Sequence, residues 1–555
     1  MKISITALAI VMVAGLALSA SAKTPETEAP ERLFLQQVST HSAVVKWRGG
    51  DGDTVCYSKK IKKLRKKNWP HCVTGVLTEG GHLEAHLSHL APDKRYFYSV
   101  GGHIDRDQHF NTAPNRNKPP KDGNTHILIV GDSGTITDGV DEEHPEGEHP
   151  GEAQAVLDGY YAYNAANGGE DVDMLLALGD NAYEAGTDDE WQASFFELYT
   201  DILRSANAIT TIGNHEMGFG PIEIPGSILC ALLGIPAEFC PFPPDFPVPV
   251  TIAGGSSSPD PASYDGNDDD VPDGTGMPYL DIFSQPSAGE SGGVPSGTEQ
   301  YFSVDYGNVH VVSLDTQLTA RDETERATMM NWLTSDLSYN TRDWTIVIFH
   351  HPPYSKGTNH DSDDADASPF DRPIADMRTE FTPIFEDYGV DVVYSGHSHS
   401  YERSYYLNGH TGTSDTFSAA EHAELVEGDP AHPASGRAGE TYHQQSPTSG
   451  GVDDRVVYTV AGSSGKANSG GDSLGITDDA EWLRHAAHID QPYSETKCAE
   501  PEGCRAGLRG LGAKGSVVID ADDDSLRARF VDVNGDVLDE FVINRDDDDD
   551  DDDDD

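Results

Sequence analysis

The sequence predicts two units of different texture: an all-β sandwich near the start of the chain, then a longer α/β unit. Two observations carry this expectation. Between residues 28 and 114 the apolar runs are short and turn-bounded, as in SAVVKW (42–47), TVCYS (54–58) and RYFYSVG (95–101), and none has a helical period. Beyond residue 123 the pattern changes. HILIV (126–130), DMLLAL (173–178), AITTI (208–212), WTIVIF (344–349) and VDVVYS (390–395) are continuous, β-branched-rich runs of the kind buried on both faces. Helix-like stretches at 189–206, 326–338 and 373–388 lie between or beside them, which implies strands and helices in layers. The Pro-, Asn- and Lys-rich segment 111–124 reads as a connector, so the sandwich spans 28–114 and the larger unit 123–545.

Each of the five runs ends in residues that bind metals: GDSG (131–134), GDNAY (179–183), GNHE (213–216), FHHPPY (349–354) and GHSHSYER (396–403). In α/β layers, ligands gather beyond the carboxyl ends of strands. GNHE alone occurs by chance, and a lone HxH is more often a surface pair; five such ends in order are not accidental. Two cations about 3.5–4 Å apart can clamp a phosphoryl group for in-line displacement, with a carboxylate as the natural bridge. Asp180 is the candidate bridge. Asp132, Asp180, Tyr183 and His399 make an oxygen-rich set, and Asp180, Asn214, His350 and His397 a nitrogen-richer one. On an extended HxH alternate residues point the same way, so His397 and His399 can serve adjacent ions.

With these motifs the chain resembles the purple acid phosphatases of the calcineurin-like metallophosphoesterase superfamily. Many members of that superfamily open with DxH, whose histidine binds the first metal; here the position is Gly134. Tyr183, three residues past Asp180, stands where purple acid phosphatases carry a compensating tyrosinate. VIFH (347–350) fits the family's VxxH and selects His350 over His351. The resemblance implies a four-layer metallophosphoesterase domain with two central mixed sheets flanked by helices, preceded by a fibronectin-III-like domain. YFSVDYGNVHVVSLDTQ (301–317) then reads as paired central strands, and 516–543 as terminal hairpin strands. The implied metal ligands are Asp132, Asp180, Tyr183, Asn214, His350, His397 and His399. They would hold Fe(III) with a divalent Fe, Zn or Mn ion and support hydrolysis of phosphomonoesters by a hydroxide of that centre. His215, beside Asn214, and His360, ten residues past His350, are implied contacts to substrate or leaving-group oxygen. His351 and Glu216 read as supporting residues. A phosphodiesterase or nucleotidase of the same fold would share these ligands, since specificity lies in the loops. A non-catalytic polyanionic surface or mineral-binding protein is opposed by the intact ligand set.

The remaining features concern compartment and surface. Lys2, the apolar run ITALAIVMVAGLAL and Ala20-Ser21-Ala22 read as a cleavable signal peptide over 1–22, hence a secreted or periplasmic protein. Its removal takes one lysine and moves the net charge from −58 to −59. No later run is long enough for stable membrane insertion. Six cysteines fall into the local pairs Cys56/Cys72, Cys230/Cys240 and Cys498/Cys504, a plausible disulfide set for an oxidising compartment. The balance of 95 acidic to 37 basic residues argues against nucleic-acid binding and suits a saline medium. The expected partner is a phosphorylated small molecule. Ten aspartates at 546–555 read as a disordered, solvated tail, and KKIKKLRKK (59–67) as an exposed hairpin. Segments 217–276 and 405–455 read as long loops bordering the active-site mouth. The DGNDDD run within the first lacks the spacing of a calcium loop.

Overall fold

The strand Thr125–Val130 shows how the layers of the computed structural model arise. Ile127 and Ile129 join one apolar cluster, Leu128 and Val130 another. Side chains alternate across a strand, so an unbroken apolar run has two faces to cover. On the inner side Ile127, Met174 and Leu176 meet Val311, Ile346, Ile348 and Val392 of a second sheet. Beyond the first sheet, Leu128, Leu175 and Ala177 pack on the helix Glu152–Ala166 and on aromatic residues Trp191, Phe195 and Phe196. Beyond the second, Val312, Val347 and Val393 pack on Met329 and Leu333 of the helix Glu323–Tyr339 and on Met377, Phe381 and Phe385. The order is helix, sheet, sheet, helix, as the strand and helix patterns imply. The structure describes residues 29–66, 71–78, 80–134, 152–183, 185–217, 277–357, 360–365, 371–444, 455–467, 483–491 and 510–545, and the backbone of 221–225 and 247–251.

Both sheets are mixed. In the first, Thr125–Val130, Met174–Ala177 and Asn207–Thr210 run parallel, flanked by the antiparallel strands Gly515–Ala521, Ser525–Asp532 and Val537–Arg545. Val130, Ala177 and Thr210 lie side by side, so the three metal-type motifs leave the sheet at one level. In the second, Val309–Ser313, Trp344–Phe349, Val392–Ser395 and Val456–Ala461 run parallel, with Phe349 beside Ser395 and Ser395 beside Val460. The hairpin Phe302–Tyr306 with Val309–Ser313 matches the expected pair at 301–317.

The N-terminal residues form two further four-strand arrays. Glu31–Gln36, Ala43–Arg48, Leu83–Leu87 and Val76–Leu77 make one; His71–Thr74, Thr54–Ser58, Arg95–Val100 and His109–Asn111 make the other. Trp47, Tyr57 and Tyr98 belong to the apolar cluster they share. The sheet pairing runs across the 111–124 connector: Leu35 pairs in parallel with Asn207, making the first array continuous with the first central sheet. That strand covers an edge whose N–H and C=O groups would otherwise lack partners. Arg32 and Arg48 both bind Asp188 across the same seam.

Two expectations change. The described part of the basic cluster is not a hairpin but a helical turn, Ile61–Arg65, held by the buried Leu64 while its lysines face outward. The reason is local: an isolated apolar residue among lysines has no period of two to pair as strands. Much of 405–444 is sheet and core rather than loop, since Tyr401–Leu407 and Tyr442–Gln444 are strands and Tyr442 and Ala434 are buried. Cys56 and Cys72 form a disulfide across paired strands. The signal segment, the aspartate tail, Cys230, Cys240, Cys498, Cys504 and most of 217–276 lie outside the described residues. Among the described residues no helix is long and apolar enough to cross a membrane.

One buried ion pair stitches the two sheets together. Arg403 on Tyr401–Leu407 donates to Asp539 on Val537–Arg545 at 2.6 and 3.1 Å, and both side chains are fully buried. Tyr401 and Arg437 also donate to this carboxylate, both at 3.0 Å. Removing the guanidinium leaves a buried carboxylate short of its main partner. Arg403→Leu is therefore expected to cost about 3–5 kcal/mol in urea unfolding at neutral pH, with part recovered in the Arg403→Leu/Asp539→Asn double variant.

Candidate metal centre

Asp132, Asp180 and His397 each follow a glycine at a strand end, and each adopts a left-handed backbone, with φ of +53°, +53° and +69°. Residues with a Cβ rarely take this conformation, and it clusters at functional sites. Here it turns each side chain back toward the neighbouring strand ends. The turns leave no room beside them. A Cβ on Gly213 would overlap the Asp180 carboxylate, and one on Gly396 the Asp132 carboxylate. Backbone groups complete the lock: His397 N donates to Asp132 Oδ2 (2.9 Å) and His215 N to Asp180 Oδ1 (2.8 Å). Beneath them the buried Glu216 accepts from the backbone N–H of Asp180 (2.8 Å), Asn181 (2.6 Å) and Gly213 (2.6 Å), tying two motif loops into one body.

The ring nitrogens report what the site is built to hold. His350 Nδ1 faces the carbonyl of Leu178 at 2.9 Å, so that nitrogen carries the proton and Nε2 offers a lone pair. His397 Nε2 faces Asp371 Oδ1 at 2.9 Å, which leaves the lone pair on Nδ1. Those two lone pairs face each other at 3.2 Å, and both face Asn214 Oδ1 at 3.0 Å. Three acceptors aimed at one another make no stable hydrogen bonds. Edges of this length match ligand spacings around a cation bound at roughly 2.1 Å. Asp180 Oδ2 lies 3.4 Å from His350 Nε2 and joins the same set.

A second convergence lies on the other side of Asp180. The Tyr183 hydroxyl is 3.2 Å from Asp132 Oδ1, 3.2 Å from Asp180 Oδ2 and 3.3 Å from His399 Nε2. One hydroxyl proton cannot serve three acceptors, whereas a cation among these four donors can. All seven expected ligands thus come together, with Asp180 common to both groups. Gly134 explains the missing histidine: a Cβ there would overlap the backbone of Asn181 and Ala182. Gly134 N donates to Asp180 O, and Tyr183 N donates back to Gly134 O, both at 3.1 Å. The loop that brings in Tyr183 fills the space a side chain at 134 would need.

Electrostatics agree with a cation-binding site. Burial and the adjacent Asp180 push the Asp132 carboxyl well above its ordinary range. Burial opposes ionisation of Asp180 too, but His350 and His215 outweigh it and hold that carboxyl well below. Burial pulls the His350 imidazole down, yet Asp180 and Asp132 hold it up at about 9. Burial, Asp180 and Asp132 together keep Tyr183 a neutral phenol in the protein alone. The donor set fits two cations: oxygen-rich around Tyr183, nitrogen-richer around His350 and His397.

Around this set stand the groups that could meet a ligand. The His215 ring lies 4.2 Å from the Tyr183 ring and its Nε2 3.8 Å from Asp180 Oδ2. The His360 ring stacks on His397 at 3.8 Å, and its Nδ1 faces Asp371 Oδ1 at 2.7 Å. His360, Asp371 and His397 converge closely enough to suggest a further metal group. However, His397 already directs its lone pair toward Asn214, so Asp371 is read as the acceptor for two imidazole N–H groups. His351 is fully buried against Thr316, as a supporting residue would be. Asp371 escapes sequence reasoning because it precedes a helix and carries no motif. Lys466 also escapes, with its Nζ 3.7 Å from the centre of the Tyr183 ring. A sixth apolar run, VVYTVA (456–461), ending at Gly462, was the signal that could have found it.

Comparison with known proteins agrees with this geometry. Residues 125–401 match the calcineurin-like phosphoesterase family. The chain is 30% identical to purple acid phosphatase 1 of Ipomoea batatas over 325 residues, 57% of this chain and 50% of that protein. It is 32% identical to purple acid phosphatase 18 of Arabidopsis thaliana over 123 residues, 22% of this chain and 25% of that protein. The matched stretches therefore span between a quarter and half of these two relatives. The fold is that of purple acid phosphatase PPD1 from yellow lupin (Lupinus luteus) seeds, with a TM-score of 0.56 at 17% identity, covering 94% of this chain and 75% of that one. With the strand-end residues converging as they do, the chain belongs to the calcineurin-like phosphoesterases, among the purple acid phosphatases.

Proposed function

We propose that the protein is a secreted, binuclear metal-dependent acid phosphatase that hydrolyses phosphomonoesters. The observation that carries this reading is the double convergence on Asp180: two imidazole lone pairs with Asn214 on one side, and the Tyr183 hydroxyl with Asp132 and His399 on the other. When bound, two cations would supply a water-derived nucleophile and screen the charge of the phosphoryl group. The oxygen-rich group with Tyr183 suits Fe(III), and the group with His350 and His397 a divalent Fe, Zn or Mn ion.

The chain's own residues supply the rest. His215 is partly exposed beside Tyr183, within reach of an oxygen held at the centre, and its ring N–H can donate to the leaving oxygen. His360 stands one ring away from His397, oriented by Asp371, and can donate to a phosphoryl oxygen. Asp371 acts through both rings: it fixes the His397 tautomer and turns His360. The acidic surface, net −58 for the chain, supports a soluble protein in a medium where salt screens its self-repulsion.

Three measurements test the reading. Asp180→Asn removes the shared ligand and should lower p-nitrophenyl phosphate hydrolysis on the order of a thousandfold while bound metal falls; retained hydrolysis contradicts the shared centre. The purified protein should show a visible phenolate-to-iron band that disappears in Tyr183→Phe, whereas a colourless protein with both sites filled removes ferric iron from Tyr183. Asp371→Asn should cost about 10–100-fold in metal affinity or activity with the unfolding midpoint unchanged; wild-type values for both would leave Asp371 no part in the site.

A further inference from the structure

Lys466 is carried to the metal centre by a turn fastened to two of its loops. The strand Val456–Ala461 ends level with Ser395 and runs into Gly462-Ser463-Ser464-Gly465-Lys466. Ser464 N donates to Gly131 O (3.0 Å), and Gly131 N donates to Ser464 Oγ (3.2 Å), which in turn donates to Gly515 O (2.9 Å). A Cβ on Gly462 would overlap Ser398 O and crowd Asp132 Oδ2; one on Gly465 would crowd Asp132 O and the backbone of Ser133. The turn is therefore pressed against the loops that carry Asp132 and His397. Its next residue extends a half-buried side chain over Tyr183, with Nζ 3.7 Å from the ring centre.

The placement has chemical consequences. An ammonium over an aromatic face is held by the ring's negative face, which limits its wandering before any ligand arrives. It keeps three N–H donors on a compact charge, suited to oxyanions. His215 approaches the same ring, at 4.2 Å, and Lys466 is close enough to His399 for its charge to act on that imidazole. A phosphoryl group beside His215 and the Tyr183 hydroxyl thus meets a fixed positive charge on the Tyr183 side. In a chain of net charge −58 an approaching anion otherwise meets repulsion, and a dianion meets more than a monoanion.

We propose that Lys466 binds a non-bridging phosphoryl oxygen of the substrate and selects phosphomonoester dianions over diesters, a role that rests on the phosphoesterase reading above. The full-length, metal-loaded protein is compared with Lys466→Gln and Lys466→Arg, each checked for an unchanged urea midpoint and metal content. For Lys466→Gln, the Ki of inorganic phosphate and the KM for p-nitrophenyl phosphate should rise roughly tenfold, the loss of one charge-assisted hydrogen bond. The kcat/KM for bis(p-nitrophenyl) phosphate should stay within about twofold, and Lys466→Arg should recover most of the phosphate affinity. Equal losses on both esters, or an unchanged phosphate Ki, overturn the assignment. Direct calorimetry of phosphate binding decides the lysine independently of turnover. A wild type that binds phosphate but hydrolyses neither ester overturns the phosphoesterase reading instead.

Discussion

Asp132 and Asp180 lie buried beside one another at the ends of two adjacent parallel strands, and the rest of the centre is arranged around the charge this concentrates. Two buried carboxylates cannot both ionise without compensation. Their divergent titration, one pushed far up and the other far down, is the electrostatic signature of that conflict. The fold brings compensation from elsewhere: His350 and His397 from the second sheet, His215 from the adjoining turn, and Lys466 from a further strand end. Close approach is what makes the arrangement steric as well as electrostatic. Each carboxylate packs on bare backbone, Asp180 on Gly213 and Asp132 on Gly396, so a side chain at either glycine would push the two sheets' loops apart.

The exchange of one ligand for another follows from the same crowding. Gly134 is not merely a lost histidine, because the backbone of Asn181 and Ala182 occupies the volume beyond it. The reciprocal hydrogen bonds between residues 134 and 180–183 fix that backbone, and with it the direction of Tyr183. A histidine at 134 and this course of the 180–183 loop exclude each other. The phenol oxygen is consequently supplied to the centre by a loop that could not exist with the alternative ligand in place.

This is why so much of the centre could be read from the chain. Ligands here sit two to four residues past the strands, each announced by a glycine that the packing requires, so the pattern is short and contiguous: GD, GN, GH. The layers were legible for a related reason, since strands such as HILIV and WTIVIF have two apolar faces and admit only a covered position. What stayed hidden depends on contacts between distant segments. Asp371 gains its meaning only from His360 and His397, and nothing near it in sequence says so. The pairing of Leu35 with Asn207 joins residues 172 positions apart across an apparent linker, because a parallel edge accepts any strand of suitable length. The helical turn at Ile61–Arg65 hangs on the single buried Leu64, too little apolar pattern to be distinguished from a hairpin.

The charged pairs away from the centre set the pH range in which this scaffold holds. Burial alone would raise the Asp539 carboxyl, but Arg403 and Arg437 outweigh it and hold it down at about 2. An unfolded carboxyl titrates near ~4, so this group stabilises the fold fully above that value and loses its contribution only as pH falls through about 2. His310 works in the opposite direction. Burial pulls its imidazole down, yet Asp305 at 2.8 Å and Asp336 at 2.9 Å hold it up at about 9. Its stabilisation is complete below the unfolded value of roughly 6.5 and disappears as pH rises through about 9. These residues join the sheets at one end and, at the other, the Phe302–Ser313 hairpin to the helix Glu323–Tyr339. Both contributions are complete only between about pH 4 and 6.5. A scaffold with that window keeps its metal-binding loops in register in mildly acidic surroundings, where a phosphatase of this kind would be asked to work.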